Sequence, residues 1–230
     1  MTEAERIVAE YARRQAELEP SRYETTNPAA LFIRQTVERA VVRELDRAGA
    51  LPLAEHTILD AGCGGGQWLA DLETWGARRE RLAGIDLVPE RVEAARARLS
   101  GADIRLGDAT KLPWADGSFD MVLQSMMFSS ILDPAVRRAA AGELARVLRP
   151  GALVLWYDFF VDSPRNPNVR GIRRRELAQL FPEFDIRWRR VTLAPPLVRL
   201  LAPRVRPLAA ALQSLRLLDT HSLALLRRRR

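Results

Sequence analysis

The stretch Ile58-Leu59-Asp60-Ala61-Gly62-Cys63-Gly64-Gly65-Gly66-Gln67-Trp68 decides how the chain is read. Thr57, Ile58 and Leu59 form a short run with two β-branched members, the pattern of a strand covered on both faces. Asp60 closes that run at its carboxyl end, the edge where open α/β sheets bind ligands. Gly62, Gly64 and Gly66 recur at every second position, which suits a turn that visits positive φ and brings its backbone close to a ligand. From Gln67 the period becomes helical, with Trp68, Leu69, Leu72 and Trp75 on related faces. Strand, glycine turn and helix together form a nucleotide-handling unit.

The glycine spacing narrows the class of nucleotide. A dinucleotide fingerprint has the form G-x-G-x-x-G; Gly62 and Gly64 fit it, but its third position falls on Gln67. A tight turn with no ligand is the plainer alternative, so the later strand ends matter. Leu82-Ala83-Gly84-Ile85-Asp86 reads as a second strand ending in an acid, where a carboxylate can accept both ribose hydroxyls. A third strand, Ile104-Arg105-Leu106, leads to Gly107-Asp108-Ala109. There an acid can accept the exocyclic amine of an adenine while the adjacent amide donates to a ring nitrogen. Asp116-Gly117 signals a turn into a fourth strand, Phe119 to Gln124.

The segments ILDAGCGGG, GIDLVPERV, GDATKLPWADGSFDMVLQS and ELARVLRPGALVLWYDF stand in the order and spacing of a known family. Over about residues 55–160 the chain resembles the class I S-adenosylmethionine-dependent methyltransferases, in the small-molecule branch called methyltransferase type 11. The resemblance implies a Rossmann-like α/β fold with a seven-stranded, mostly parallel sheet, an antiparallel last strand and helices on both faces. It implies S-adenosyl-L-methionine as cofactor and S-adenosyl-L-homocysteine as product. Asp60 and Gly62 would meet the methionine part, and Gly64 would let it approach. Asp86 would bind the ribose, Leu87 would pack on the adenine, and Asp108 and Ala109 would read its edge. Gln124 and Ser125 would face the methionine moiety or the acceptor.

Composition bounds the remainder. A chain of 230 residues with 47% hydrophobic content can bury one full core, and residues 1–230 are expected to form one domain. Within it, residues 1–50 would be a helical cap, 51–160 the cofactor core and 161–230 the substrate side. The single cysteine, Cys63, excludes an internal disulfide framework and a cysteine-rich metal site. No leader and no apolar run of about 18 residues is seen, so a cytoplasmic protein is expected. Residues 1–120 carry 16 basic and 21 acidic side chains, and residues 121–230 carry 20 and 8. Such a basic half suits an anionic partner or a plain solvated surface.

The flanks supply the acceptor side. A mildly amphipathic helix over residues 2–19 and a second from Asn27-Pro28 to Gly49 would lie across the cofactor mouth, bringing Tyr23 and Phe32 near it. A helix opened by Asp133-Pro134 would end at Arg149-Pro150-Gly151, with a fifth strand from Ala152 to Tyr157. A short helix, Arg173 to Phe181, a sixth strand, Phe184 to Leu193, and a last strand, Thr220 to Leu226, would follow. Between the last two, residues 194–217 mix prolines, leucines and arginines. They read as a helical insertion: a lid, a homodimer contact or a peripheral membrane patch. Arg227 to Arg230 would be a solvated tail.

Methyl transfer needs a nucleophile aligned in a dry pocket, and a hydroxyl nucleophile usually also needs a base. His56 precedes the first strand at the wrong end of the sheet, and His221 lies in the last strand; both read as structural. Asp158 is therefore the candidate catalytic base, with Tyr157 behind it. Phe128 is expected to wall the acceptor pocket, and Asn166 and Arg170, with Arg165 and Asn168, to bind a polar or anionic acceptor. No Asp/His cluster suggests a metal. The N-P-P-[YFW] tetrapeptide of amino-methylating DNA enzymes is absent after the fourth strand, so nucleic acid is not the expected partner. The expectation is methyl transfer to a small-molecule or glycan-like acceptor, most readily at oxygen, as in natural-product or glycan biosynthesis. An RNA or protein methyltransferase using the basic half, or a non-catalytic cofactor-binding partner, stands as the alternative.

Overall fold

The computed structural model describes residues 1–17, 24, 26–163 and 166–229. Seven strands join in one sheet: Ile58–Ala61 (β1), Leu82–Asp86 (β2), Asp103–Leu106 (β3), Phe119–Ser125 (β4), Leu148–Phe159 (β5), Phe184–Leu193 (β6) and Asp219–Arg228 (β7). Their order is β3-β2-β1-β4-β5-β7-β6. The pairings from β3 to β5 are parallel, and β7 runs antiparallel to both β5 and β6. The chain steps outward from β1 in one direction, then returns to β4 on its other side. That reversal opens a crevice at the carboxyl ends of β1 and β4.

Helices cover both faces: Glu3–Glu17 (α1), Pro28–Arg47 (α2), Gln67–Thr74 (α3), Pro89–Arg98 (α4), Pro134–Val147 (α5), Arg174–Leu180 (α6), Pro195–Leu201 (α7) and Arg206–Leu215 (α8). Proline occupies the first turn of α2, α4 and α5, and the Asn27 and Asp133 side chains cap α2 and α5. Alternate strand residues feed two cores. Leu59, Val122 and Val154 pack with Leu144 and Leu177 on the side of α5 and α6. Ile58, Met121 and Leu155 pack with Val41, Leu45, Leu72 and Val92 on the side of α2, α3 and α4. Burying each such side chain contributes roughly 1.5–3 kcal/mol, so the central strands anchor the fold. A smaller cluster joins Ala29 and Phe32 of α2 to Leu193 of β6, Val198 of α7 and Ala209 of α8; Phe32 is core there.

Two expectations are corrected. β5 begins at Leu148, so Arg149-Pro150-Gly151 lies inside the strand. The register shifts between Phe119 and Met121, and such an irregularity accommodates a proline that has no N–H to donate. Arg227 and Arg228 belong to β7 and not to a tail, and Arg230 lies outside the described residues. Arg227 Nη2 donates to Ala48 O at 2.7 Å, and Arg228 Nη1 donates to Ala145 O at 2.8 Å and Leu148 O at 2.6 Å. These carbonyls close α2 and α5, where unpaired oxygens and the negative dipole end attract cations.

Candidate active site

A cleft of about 1880 Å³ opens along the carboxyl edge of the parallel strands. It exceeds the roughly 300–1,000 Å³ of a typical small-molecule pocket, leaving room for two ligands side by side. Its first wall is the glycine turn. Gly62 N and Cys63 N both donate to Ile85 O, at 2.8 and 3.0 Å, which ties the end of β1 to β2. Gly62, Gly64 and Gly66 have φ of 76°, 51° and 74°, a left-handed region that favours glycine.

The strand-end acids gather here. Asp86 lines the cleft; its Oδ2 accepts from Gly64 N at 2.8 Å and its Oδ1 from Val88 N at 3.0 Å. Each oxygen keeps a lone pair for a further donor. Asp108 also lines the cleft, with Oδ1 accepting from Thr110 N at 2.8 Å. Leu87 and Ala109 flank these two acids in the same wall. Asp60 stands behind this wall and not in it: neither it nor Gly64 lines the cleft, Asp60 is 1% exposed, and neither of its carboxylate oxygens has a hydrogen-bond partner among the described residues. Burial, with the nearby charge of Asp86 second, pushes its carboxyl up to about 8. A buried carboxylate in that condition awaits a cationic donor.

Gln124 sits elsewhere than expected. It is fully buried; its Oε1 accepts from Met127 N at 3.3 Å, while its Nε2 has no partner. Ser125, Met126 and Met127 take its place in the cleft wall. Met126 holds a φ of 62°, a costly conformation for a side-chain-bearing residue that clusters at ligand sites.

The catalytic expectation for Asp158 is corrected. Asp158 is fully buried and absent from the cleft wall; Oδ2 accepts from Ser129 N at 3.1 Å and Oδ1 from Phe159 N at 2.8 Å. Burial pushes it up to about 6 against those amides. It clamps the loop after β4 to β5. Phe128 is also corrected: it is fully buried against Trp156, ring centroids 4.7 Å apart, and belongs to the core. Arg170 points to Glu176 through Nη2 at 3.3 Å and stays outside the cleft. Asn166 does line the cleft, its Oδ1 accepting from Asn168 N at 3.0 Å. Tyr23 and Arg165 lie outside the described residues.

What the residues alone did not single out is the roof, and that Tyr157 and His221, read as a second candidate base and as structural, stand together in the far wall. Tyr11 of α1 lines the cleft, with the Arg91 guanidinium 4.0 Å above its ring and its hydroxyl 3.2 Å from Ser130 Oγ. Arg6 donates to Ser130 O at 2.5 Å, and Asn168 Nδ2 to Glu10 Oε2 at 2.9 Å. Thus α1 is strapped to both loops that border the cleft. At the far wall stand Tyr157, Phe159 and His221. The His221 ring stacks on Tyr157 at 5.1 Å and lies 4.0 Å from Phe159. Burial lowers it to about 3, so it is neutral. The antiparallel direction of β7 brings its first residues to the ligand edge. Register, not pattern, reveals that placement.

Residues 59–156 match the family described as Methyltransferase domain. Over those residues the chain is similar to the class I methyltransferases of type 11. It is 36% identical over 155 residues to a 27-O-demethylrifamycin SV methyltransferase of Amycolatopsis mediterranei, covering 63% of this chain and 54% of that one. It is 30% identical over 152 residues to an O-methyltransferase, cnsE, of Penicillium expansum, covering 64% and 50%. The match therefore spans about half the length of these relatives. Among solved structures, the YcgJ protein of Bacillus subtilis superposes with a TM-score of 0.61 at 18% identity, covering 84% of this chain and 98% of that one. Methyltransferases of this family use S-adenosylmethionine.

Proposed function

We propose that this chain binds S-adenosylmethionine at the β1–β3 edge and transfers its methyl group to a hydroxyl of a small-molecule acceptor held at the β5–β7 edge. The observation that carries the reading is Asp60: a buried, unpartnered carboxylate behind a glycine turn. A cofactor bearing an ammonium and a sulfonium suits that electrostatic environment. When bound, the cofactor supplies an electrophilic methyl on sulfur.

The chain's own residues would do the rest. Asp60 and the Gly62–Gly66 turn would hold the cationic end, Asp86 the ribose hydroxyls, and Asp108, Ala109 and Leu87 the adenine. Tyr11 of α1 lines the mouth of the cleft, and bound ligands that displace water there would strengthen each of these contacts. Alignment of the two partners is the main source of rate. With Asp158 enclosed, neutral His221 is the imidazole in the cleft wall, and it would accept a hydrogen bond from the acceptor hydroxyl and orient it, while its low proton affinity leaves the proton to solvent. The names of the two relatives, both acting at oxygen, favour that acceptor class.

Calorimetry with S-adenosylhomocysteine tests the cofactor half. Binding with a one-to-one stoichiometry, weakened by Asp60→Asn and Asp86→Asn, is expected; no binding by folded protein overturns it. Methyl transfer from labelled S-adenosylmethionine to a panel of phenols and alcohols tests the second half. Label appearing only on amines or proteins would replace the hydroxyl reading.

A further inference from the structure

We propose that the hairpin formed by α7 and α8 docks on an anionic lipid bilayer. Most of the molecule hides its large apolar side chains. Of eight exposed ones among the described residues, six fall between positions 200 and 218: Leu200, Val205, Leu208, Leu215, Leu217 and Leu218. Leu215 and Leu217 are 61% and 73% exposed. Leu208 and Leu215 lie seven residues apart in α8 and share one face, while Ala209 and Leu212 pack inward against α2 and α7.

The charge around this patch has one sign. Residues 194–218 contain four arginines and no acid. Arg204 donates to the carbonyl of Leu200 and Arg206 to the amide oxygen of Gln35. Both partners are neutral, so both positive charges stay uncompensated. The nearest acid in sequence, Asp219, is buried, bonded to Gln213 Nε2 at 2.9 Å and close enough to feel the charge of Arg216, so the uncompensated charge is that of Arg204 and Arg206. Elsewhere arginines are commonly ion-paired, as Arg34, Arg79, Arg146 and Arg149 are.

Exposed leucines beside Arg204 and Arg206 are what an interfacial helix needs, apolar groups for the acyl boundary and cations for anionic headgroups. A second copy of the chain fits less well, because a twofold contact would set these arginines against their own kind. No described helix is long and apolar enough to cross a membrane, so the contact is with the surface. Pro195, Pro196 and Arg199 at the root of the hairpin also line the cleft. Docking would therefore bring the acceptor end to the lipid, and an acceptor taken from there is an amphiphile that partitions into the bilayer. That last step rests on the proposed methyl transfer; the docking itself does not.

The test is co-sedimentation with vesicles of phosphatidylcholine alone and of phosphatidylcholine with phosphatidylglycerol, with homocysteine-cofactor calorimetry as the check on folding and on the active site. Wild-type protein should bind the anionic vesicles at least tenfold more tightly, and 0.5 M salt should reduce that preference. An arginine near an anionic surface is worth roughly fivefold, so Arg204→Glu with Arg206→Glu should lose twentyfold or more. Leu215→Asp with Leu217→Asp should lose at least tenfold, and both double variants should keep S-adenosylhomocysteine affinity. Protein that binds S-adenosylhomocysteine but no vesicle overturns the proposal. So does vesicle binding that neither double variant weakens, salt-sensitive RNA binding in its place, or a dimer in sedimentation velocity that the leucine variant dissolves. Vesicle binding without cofactor binding would retain the docking surface and overturn the methyl-transfer reading.

Discussion

Asp86 Oδ2 accepts a hydrogen bond from the backbone of Gly64 at 2.8 Å, so the acid at the end of β2 holds the shape of the turn that follows β1. The brace of the turn and the proposed ribose contact are thereby one side chain. A hydrogen bond to a charged group contributes about 1.5–3 kcal/mol. Asp86→Ala should therefore weaken S-adenosylhomocysteine binding by at least tenfold, read by calorimetry. Its melting temperature should also fall, because the turn loses its brace.

Asp60 gives a pH signature. Its carboxyl is raised to about 8 in the folded protein against about 3.9 unfolded. The raised group contributes stability that is full below about pH 4 and is lost as pH rises through about 8. Melting of ligand-free protein should show this loss, and Asp60→Asn should flatten it. A cationic ligand favours the ionised form, so binding should expel a proton and tighten by up to about tenfold per pH unit below pH 8. Calorimetry in buffers of different ionisation enthalpy counts that proton.

Asp158 and His221 separate stability from turnover. Asp158→Ala would strand the buried amides of Ser129 and Phe159, at about 1–3 kcal/mol each, and should lower the melting temperature markedly. His221→Phe keeps a flat ring against Tyr157 and Phe159 but removes the nitrogens. It should retain fold and cofactor affinity while lowering kcat/KM for a hydroxyl acceptor by up to about tenfold, the loss of one orienting hydrogen bond. Unchanged kcat/KM would remove His221 from the reaction.

Gly171 is a packing constraint that no pattern announces. Its φ is not positive, yet a Cβ there would sit 2.6 Å from the backbone of Val161. Overpacking of this kind costs about 1–3 kcal/mol. Gly171→Ala should lower the denaturation midpoint with little change in the slope, and should loosen Asn166 and Asn168 at the cleft rim.

The central strands, the glycine turn and the acids Asp86 and Asp108 were legible from local rules, namely apolar runs buried on both faces, positive φ and strand-end position, while the strand count and the antiparallel last strand came with the family resemblance. Gln124, Phe128 and Asp158 were misread for one shared reason. Each stands at or just beyond the carboxyl end of a strand, where residues close in sequence point alternately into the cleft and into the core. Only the loop geometry after β4 decides which is which. Tyr11 and His221 were missed because their place depends on long-range contacts: α1 crossing to Ser130, and β7 entering between β5 and β6. The terminal arginines read as a tail because nothing local marks which helix carbonyls remain open.

The hairpin of α7 and α8 leaves the sheet at Leu193 and rejoins it at Asp219, two residues paired directly across β6 and β7. Its two ends are therefore one ladder rung apart, the separation that a tight turn could span. Such an insertion behaves as an interchangeable cassette. Asp60 and Asp86 lie on other strands and Asp108 just beyond β3, so a change of this segment that keeps its packing on Ala29 and Phe32 should leave the strand register in place. On the proposed function, one cofactor frame would thus be re-addressed to another surface or acceptor by changing a single segment.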